Sequence, residues 1–401
     1  MNFPFYIAKR YLFSKSSNNT INIIAFIATI GVVIGTLALF IVLSGFSGLR
    51  AFSLSFLNTS DPDIKITSVK GKSFLFTNEI KSKLDDQNGI ASYSKVIEER
   101  AFFDFNEKTH IAYIKGVDSN YTNVNRLDTT VYVGTWLDKY VPMGAVVGNG
   151  ISNILSVGVF DFIEPLKIYV PKPGVGYVTS PKNAFSEIRT QPIGIFALTD
   201  EIDKKYTFIS LNAAQELLNY TSTQLTGIEI KASNIDDRDQ IIDYLKKELG
   251  SKFKIETREQ LNAVFYKMLN TENLASYLIF TLILIIALFN VIGAIIMMIL
   301  DKKENLKTLY NLGATITEIK RVFILQGFLL SVVGLFIGLS LGIILVLLQK
   351  KYHLFMITPH LAYPVEFTVS NTISVILTIL VLGLLASKIA SSRISTKLVS
   401  S

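Results

Sequence analysis

A basic segment with a helical pattern extends from Asp301 to Gly327 and has the sequence DKKENLKTLYNLGATITEIKRVFILQG. It lies between two uncharged apolar runs, Asn273 to Leu300 and Val322 to Gln349. Each run is long enough to cross a bilayer as a helix, for which about 20 apolar residues suffice. We therefore interpret the stretch as a short loop between two membrane spans.

The charge and periodicity of this loop predict its side of the membrane and a short helix within it. An excess of lysine and arginine is typical of cytoplasmic loops. The basic residues here are Lys302, Lys303, Lys307, Lys320 and Arg321. Apolar residues recur at helical spacing at Leu306, Leu309, Tyr310, Leu312 and Ile316. Gly313 offers a helix end, and Thr315 or Thr317 is a candidate cap for the next helix. Periodicity alone leaves two interpretations open, a helix on lipid headgroups and a helix that docks on a partner.

The same loop resembles the coupling region of a bacterial ABC-permease family. That family includes lipoprotein-releasing permeases, the macrolide-exporter type and the cell-division permease. Its pattern is a glutamate, an aliphatic-rich turn, Leu-Gly-Ala, and a Gln-Gly or Glu-Gly pair at the next span. The matching residues are Leu309, Leu312-Gly313-Ala314 and Gln326-Gly327, while Asn305 stands where the family has its glutamate and Glu304 lies one place earlier. The resemblance implies that a cytoplasmic ABC ATPase dimer docks on Asn305, Leu306, Leu309, Leu312, Gly313, Ala314 and Ile316.

Composition and charge agree with a membrane protein that has room for one large soluble part. Half of the 401 residues are hydrophobic, and the formal net charge of +7 is concentrated near the ends of the predicted spans, so nucleic acid is not implied. The chain contains no cysteine, which excludes a disulfide framework, thiol catalysis and cysteine-ligated zinc.

The whole chain is predicted to be an α-helical membrane protein with four transmembrane helices and a large α+β extracytoplasmic domain. The run from Ser16 to Leu49 is uncharged and longer than the apolar core of a signal peptide, so it is interpreted as an uncleaved anchor. The predicted segments are an interfacial helix at 1–20, spans at 21–45, 273–300, 322–349 and 367–388, the coupling loop at 301–321, a short periplasmic loop at 350–366 and a cytoplasmic tail at 389–401. Basic residues flank the proposed cytoplasmic segments, which places both termini inside.

Glycines recur at four-residue spacing within two of these spans. Gly31 and Gly35 form one such pair, and Gly334, Gly338 and Gly342 repeat the spacing. Small residues at this spacing allow helix backbones to approach closely. The pattern fits packing within one subunit at least as well as a dimer face.

The large segment at 46–272 is predicted to form a discontinuous α/β subdomain with a β-rich insertion. Strand and helix patterns at about 50–117 and 224–270 make one split α/β layer, and the insertion occupies about 118–223. This arrangement matches the family that the coupling loop resembles.

A Pro/Gly-rich stretch, Pro171 to Pro192, is predicted to be a long loop between strand-like runs. Loops of this length are usually functional or disordered. In lipoprotein-releasing permeases a protruding hook lies in a comparable place and binds a periplasmic carrier. The resemblance therefore makes this loop a hook candidate, with a mobile linker as the alternative. The candidate hook residues are Pro173, Val175, Tyr177, Pro181, Phe185 and Arg189.

Several other functions find no support in the sequence. Apart from Lys388 at the very end of the fourth span, the spans contain no Asp, Glu, Lys, Arg or His, which argues against a secondary transporter or ion channel. No GxxxxGK[ST] motif is present to cradle ATP. His353 and His360 share a short loop without an acidic cluster, so no metal site is predicted.

The resemblance implies a permease subunit of an ABC transporter in the bacterial inner membrane. It would bind no cofactor itself, while ATP and Mg²⁺ bind the separate ATPase. Two permease subunits, identical or related, would face the ATPase dimer and release lipoproteins towards a periplasmic carrier. The alternatives are another member of the same group, which exports a drug or peptide or regulates a cell-wall hydrolase, and a membrane-anchored binding or sensor protein.

Overall fold

The computed structural model describes residues 3–13, 19–159, 164–172, 184–359 and 361–395. The chain divides into two compact units. The helical unit comprises Met1–Ser53 and Phe265–Ser401, and the sheet unit comprises Leu54–Val264.

Long helices lie towards both ends of the chain, and most of the strands lie between them. The helices are α1 (Phe3–Phe13), α2 (Asn19–Ser60), α3 (Asn78–Asp85), α4 (Tyr121–Val124), α5 (Asn149–Leu155), α6 (Asp200–Lys205), α7 (Leu211–Leu218), α8 (Arg238–Leu249), α9 (Arg258–Leu261), α10 (Ala263–Asp301), α11 (Lys303–Asn311), α12 (Ile316–Tyr352) and α13 (Val369–Ser391). The strands are β1 (Ile64–Ser68), β2 (Phe74–Leu75), β3 (Ile90–Phe105), β4 (Lys108–Val117), β5 (Val131–Gly134), β6 (Gly144–Gly148), β7 (Leu166–Pro171), β8 (Phe185–Phe196), β9 (Tyr206–Ser210), β10 (Gln224–Leu225), β11 (Gly227–Ala232), β12 (Phe253–Thr257), β13 (Met356–Thr358) and β14 (Leu361–Ala362).

Four helices of the structure are long and apolar enough to cross a membrane. They lie at Phe26–Ser60, Ala263–Asp301, Ile316–Tyr352 and Val369–Ser391, with mean hydropathies between 2.4 and 3.0. The predicted fold class, four transmembrane helices with a large α/β domain, is confirmed.

Glycines of α12 allow this helix to pack closely against α2 in the helical unit. Gly334, Gly338 and Gly342 on α12 lie directly against side chains and backbone of α2. A side chain at Gly338 would collide with the Val33 carbonyl oxygen and Thr36. The glycine pattern of α12 is therefore used for packing within the chain.

The sheet unit is organised around one ten-stranded sheet with the order β12-β1-β11-β3-β4-β9-β6-β8-β5, and β7 pairs with both β3 and β8. β3 and β4 form a hairpin whose two turn residues, Asn106 and Glu107, both have positive φ (48° and 65°). Two such residues make the turn that suits the twist of a two-residue hairpin.

The predicted α/β layer and β-rich insertion share this sheet. β4, at the end of the first segment of the α/β layer, pairs in parallel with β9 of the insertion. β3 also pairs with β7 through Phe102, Phe103 and Asp104. The hydrogen-bonded path thus runs without a break from the α/β layer into the insertion.

Candidate functional site

The coupling loop folds as a short helix, α11, followed by a tight turn. α10 ends at Asp301, and α11 begins at Lys303 after a single residue whose amide donates to the Met298 carbonyl at 3.1 Å. α11 ends at Asn311. The helix that the apolar spacing predicts is therefore present.

The turn after α11 has the hydrogen bonds of a Schellman motif. Gly313 has a φ of +99°, its amide donates to the Tyr310 carbonyl at 2.9 Å, and the Ala314 amide donates to the Leu309 carbonyl at 3.0 Å. This pattern satisfies the last carbonyls of the helix, and glycine tolerates the left-handed backbone without a Cβ clash. The prediction that Gly313 ends the helix is confirmed.

A capping box starts α12 only two residues later. The Glu318 carboxylate accepts from the Thr315 amide at 2.8 Å, and the Thr315 hydroxyl accepts from the Glu318 amide at 3.3 Å. Of the two candidate caps, the structure selects Thr315. Turn and cap together fix the path between α11 and α12.

The predicted docking residues do not all lie on one exposed face. Leu306 is 1% exposed and belongs to the apolar core of the helical unit. Leu309, Ala314 and Ile316 are partly buried against the same core. Leu312, in contrast, is 79% exposed at the tip of the turn.

The exposed surface around Leu312 combines apolar and basic groups. Tyr310 is 37% exposed, and Lys307 and Asn305 are exposed on α11. Asn305 makes a side-chain hydrogen bond with Tyr11 of α1. The ring of Tyr11 also lies 6.4 Å from that of Phe323 on α12. We call the exposed side chains Asn305, Lys307, Tyr310 and Leu312 the docking turn.

The second candidate site is the predicted hook loop, and the structure places its carboxyl-terminal part in a strand. The predicted loop from Pro171 to Pro192 is wrong at its carboxyl end, because β8 already begins at Phe185 and pairs with β7. Phe185 pairs with Pro171, and Arg189 with Lys167, so both lie in a strand. The other candidates, Pro173, Val175, Tyr177 and Pro181, lie outside the described residues. The Lys172 amide donates to the Ala184 carbonyl at 2.9 Å and closes the base of this segment.

Beside the β7–β8 hairpin lies an open cleft of about 1480 Å³. Phe185 and Arg189 line it together with residues of β3 such as Phe102 and Asp104. The Arg189 guanidinium pairs with the Glu187 carboxylate at 2.9 Å. Sequence reasoning missed this cleft, since it depends on β7 crossing to the second half of β3.

A buried network of charges inside the sheet unit was also missed. The Lys115 ammonium lies 2.8 Å from the Glu229 carboxylate, and the two side chains are 6% and 0% exposed. Lys65 bridges the carboxylates of Glu229 (3.7 Å) and Glu98 (2.8 Å), and the Tyr206 hydroxyl donates to Glu98 at 2.6 Å. The available signal was Lys115 within the mostly apolar segment IAYIKGV and Glu229 between the isoleucines of GIEIKA.

This network sets the protonation of Glu98. Burial by itself raises the pKa of this carboxyl, but the ammonium groups of Lys65 and Lys115 outweigh that effect and lower the pKa to about 2. Burial opposes the charge of Lys115, yet Glu229 outweighs it and raises the pKa of the Lys115 ammonium well above its usual value. The Glu98 carboxyl and the Lys115 ammonium are thus both charged throughout the neutral range.

Comparisons with known proteins agree with the resemblance of the coupling loop. The FtsX-like permease C-terminal family matches residues 277–399. The lipoprotein-releasing system transmembrane protein LolE of Haemophilus influenzae is 27% identical over 368 residues, which cover 86% of this chain and 83% of the relative. LolC of Buchnera aphidicola subsp. Schizaphis graminum is 24% identical over 95% of this chain and 93% of its own length.

Among solved structures, the extracellular domain of the noncanonic ABC-type transporter YknZ from Gram-positive bacteria matches with 10% identity and a TM-score of 0.35. The match covers 48% of this chain and 99% of that domain. The carboxy-terminal part of the chain, residues 277–399, matches the FtsX-like permease C-terminal family, and most of the chain is similar to lipoprotein-releasing permeases.

Proposed function

We propose that the chain is the permease subunit of an ABC transporter that releases lipoproteins from the inner membrane towards a periplasmic carrier. The observation that carries this proposal is the similarity to lipoprotein-releasing permeases, which extends over most of both chains. A separate ATPase supplies ATP hydrolysis and holds ATP and Mg²⁺, and this chain supplies the membrane path and the docking turn.

The docking turn is suited to receive force from an ATPase. Leu312 presents one large apolar side chain at a backbone position fixed by the Schellman turn and the capping box. Leu306 and Leu309 hold α11 against the core of the helical unit. A push on Leu312 would therefore move α11 and α12 together, because the turn between them has little freedom.

The orientation follows from the same assignment. The docking turn and both termini face the cytoplasm, where the ATPase is, and the sheet unit lies in the periplasm. Basic residues in α11 and beside it support this orientation through the positive-inside rule. Two permease subunits, identical or related, face the ATPase dimer.

The experiment that tests the function is purification from native membranes followed by reconstitution. A tagged chain should copurify with an ATPase, and proteoliposomes of the complex should release a lipid-anchored protein only when ATP and a soluble acceptor are both present. Copurification of a cell-wall hydrolase, or release of a drug instead of a lipoprotein, would assign the chain to another member of the group. Recovery of the chain without any ATPase would contradict the proposal.

A further inference from the structure

The chain that follows α12 carries a row of exposed apolar side chains. α12 ends at Tyr352, and His353 has a φ of +51°, which turns the chain away from the helix axis. The next four residues are large, apolar and exposed. Their exposed fractions are 59% for Leu354, 72% for Phe355, 48% for Met356 and 49% for Ile357. We call Leu354 to Ile357 the apolar ledge.

The backbone of the ledge is held in place by Gln349. This side chain is 5% exposed, and its Nε2 donates to the carbonyls of Phe355 at 2.9 Å and Tyr363 at 3.1 Å. Its Oε1 accepts from the Phe355 amide at 2.8 Å. The Tyr363 amide donates to the same Phe355 carbonyl at 2.9 Å. These bonds satisfy backbone groups internally, as an apolar environment requires.

The returning strand is fixed on α2. The Glu366 amide donates to the Ser44 carbonyl at 3.0 Å, and the Tyr363 ring lies against Gly45. Gly48 leaves room for the backbone of Pro364, which a side chain there would strike. The ledge is therefore an ordered surface and not a loose loop.

The ledge directly follows the exposed apolar side chains at the end of α12. Exposed apolar residues of the last turns of that helix include Ile344, Leu345 and Leu347. Lys350, Lys351 and Tyr352 follow, with the Lys351 ammonium 5.2 Å from the centre of the Tyr352 ring. Aromatic and basic residues at a span end are typical of the membrane interface, where lysine reaches lipid phosphate.

We propose that the apolar ledge inserts into the bilayer leaflet reached by the carboxyl end of α12, with Lys350 and Lys351 on the phosphate groups of the same lipids. The occupant is membrane phospholipid, because the ledge follows a helix that is long and apolar enough to cross a membrane and because Lys350 and Lys351 lie in the last turn of that helix, just before the ledge. This binding surface is additional to the transport function and does not depend on which substrate is moved. It anchors the α12–α13 connection at the depth of the upper acyl chains.

Tryptophan fluorescence tests this insertion directly, because the chain has one tryptophan, Trp136. In a Trp136→Phe background, Phe355→Trp places a reporter on the ledge. The full chain is reconstituted in vesicles of phosphatidylcholine and phosphatidylglycerol, with bromine either near the headgroup end or near the terminus of the acyl chains. We expect a loss of emission that is larger with bromine near the headgroup end.

Matched reporters calibrate the depth. Phe336→Trp replaces a 74% exposed residue within α12 and should lose most emission with bromine near the chain terminus. Tyr132→Trp replaces a 58% exposed residue of the sheet unit and should keep its emission in both lipids. Ile357→Trp is a second ledge reporter, in case Phe355→Trp disturbs folding.

Two outcomes would overturn the proposal. If the emission of the ledge reporters is unchanged by brominated lipid and quenched by aqueous iodide, the ledge lies in water. This is the behaviour expected of Tyr132→Trp. Ledge reporters that are protected from both quenchers would show that protein covers it, as a second permease subunit would. If Gln349 positions the ledge, adding Gln349→Ala to the Phe355→Trp chain should reduce quenching by brominated lipid. Adding the same mutation to the Phe336→Trp chain should leave the quenching unchanged.

Discussion

At the scale of single residues, the sheet unit depends on charges buried beside its strands. Asp63 is 1% exposed, and the Arg258 guanidinium lies 2.7 Å from its carboxylate. Arg258 also donates to the Asp61 carbonyl and to the Asn58 side chain at the end of α2. The pair thus ties the segment that enters the sheet unit to the segment that leaves it. Sequence alone did not pair residues so far apart in the chain.

Removal of the arginine should destabilise the sheet unit. Arg258→Met leaves Asp63 buried with Lys231 as its remaining basic partner, at 3.2 Å, and we expect a loss of about 3 kcal/mol in the free energy of unfolding. Denaturant titration of the detergent-solubilised chain, followed by Trp136 emission, measures this loss because Trp136 packs in the sheet unit against Phe208.

Lys231→Met is the matched control for that variant. The Lys231 side chain is 40% exposed, so its pair with Asp63 is screened by water and its removal should cost less than about 1 kcal/mol. Equal losses for the two variants would contradict the role of Arg258.

Glu98 makes the stability of the sheet unit depend on pH. Its pKa falls from the usual 4.5 to about 2 on folding, so it contributes stability above pH 4.5 that is lost as the pH falls towards 2. When the pH is lowered from about 7 to about 3, the free energy of unfolding should fall for both chains. The fall should be larger for the wild-type chain than for Glu98→Gln, by on the order of 2 kcal/mol. Denaturant titrations at several pH values, followed by Trp136 emission, give the slope of the free energy of unfolding against pH for each chain.

The control for the pH series is Glu79→Gln. Glu79 is an exposed carboxylate that pairs with Lys83 one helical turn away, and water screens this pair. Its slope with pH should stay close to that of the wild-type chain. A Glu98→Gln slope that matches the wild-type slope would show that the buried network does not carry the effect.

At the level of elements, local signals predicted the end of α11 and the start of α12. A glycine after an apolar-periodic helix and a Thr-x-x-Glu sequence act through neighbouring backbone groups, so Gly313 and Thr315 were readable from the sequence. The sequence did not predict the direction in which each leucine side chain points. Leu306 and Leu312 both satisfy the helical pattern, yet tertiary packing buries the first and leaves the second exposed.

The docking turn gives a test that separates binding from folding. Leu312→Asp changes an exposed residue, so we expect normal stability and loss of the copurifying ATPase. Leu309→Asp places a charge against the apolar core of the helical unit, which costs several kcal/mol, so that chain should be destabilised before docking is affected. Copurification and thermal stability are measured for both. An intact, active complex with Leu312→Asp would rule out docking through this side chain.

Proline misled the prediction of the hook. Pro192 favours a loop in the prediction, because proline has no backbone N–H to donate a hydrogen bond within a sheet. In the structure it lies within β8 at a register shift, where Ala145 pairs with Pro192 and Val146 pairs with Gly194. A bulge of this kind accommodates the proline, and the strand extends back to Phe185.

The corrected strand changes how the hook should be deleted. Ile188 is 6% exposed and pairs with Ile168, so a deletion that reaches it would damage the core of the sheet unit. Replacement of residues 174–183 by a short Gly/Ser linker keeps β7 and β8 whole. If this segment binds the carrier, transfer of released lipoprotein to the carrier should be lost while ATP turnover persists. Undiminished transfer would favour the linker interpretation, and protease resistance of the sheet unit serves as the folding control.

At the scale of the whole molecule, hydropathy predicted four long helices and a large α/β part, and the structure contains them. The exact spans stay predictions, because a helix end is not a membrane edge. α2 continues to Ser60 and α10 begins at Ala263, well beyond the apolar runs that define the spans. The continuous sheet was harder to foresee, since the pairing of β4 with β9 joins residues far apart in the sequence.

Membrane orientation is the property of the whole chain that charge predicts and cysteine labelling can decide. The chain lacks cysteine, so each introduced cysteine is the only site for a membrane-impermeant maleimide. Ser119→Cys and Ser222→Cys are both exposed in the sheet unit. They should react when the reagent is added to spheroplasts whose inner membrane is intact. Lys9→Cys and Ser395→Cys, at the two ends of the helical unit, should react only after the membrane is permeabilised. Four crossings keep both ends on one side, and the basic residues near them predict that this side is the inside. Labelling of either end from outside would exclude the four-span orientation, and with it the cytoplasmic position of Leu312 on which ATPase docking depends.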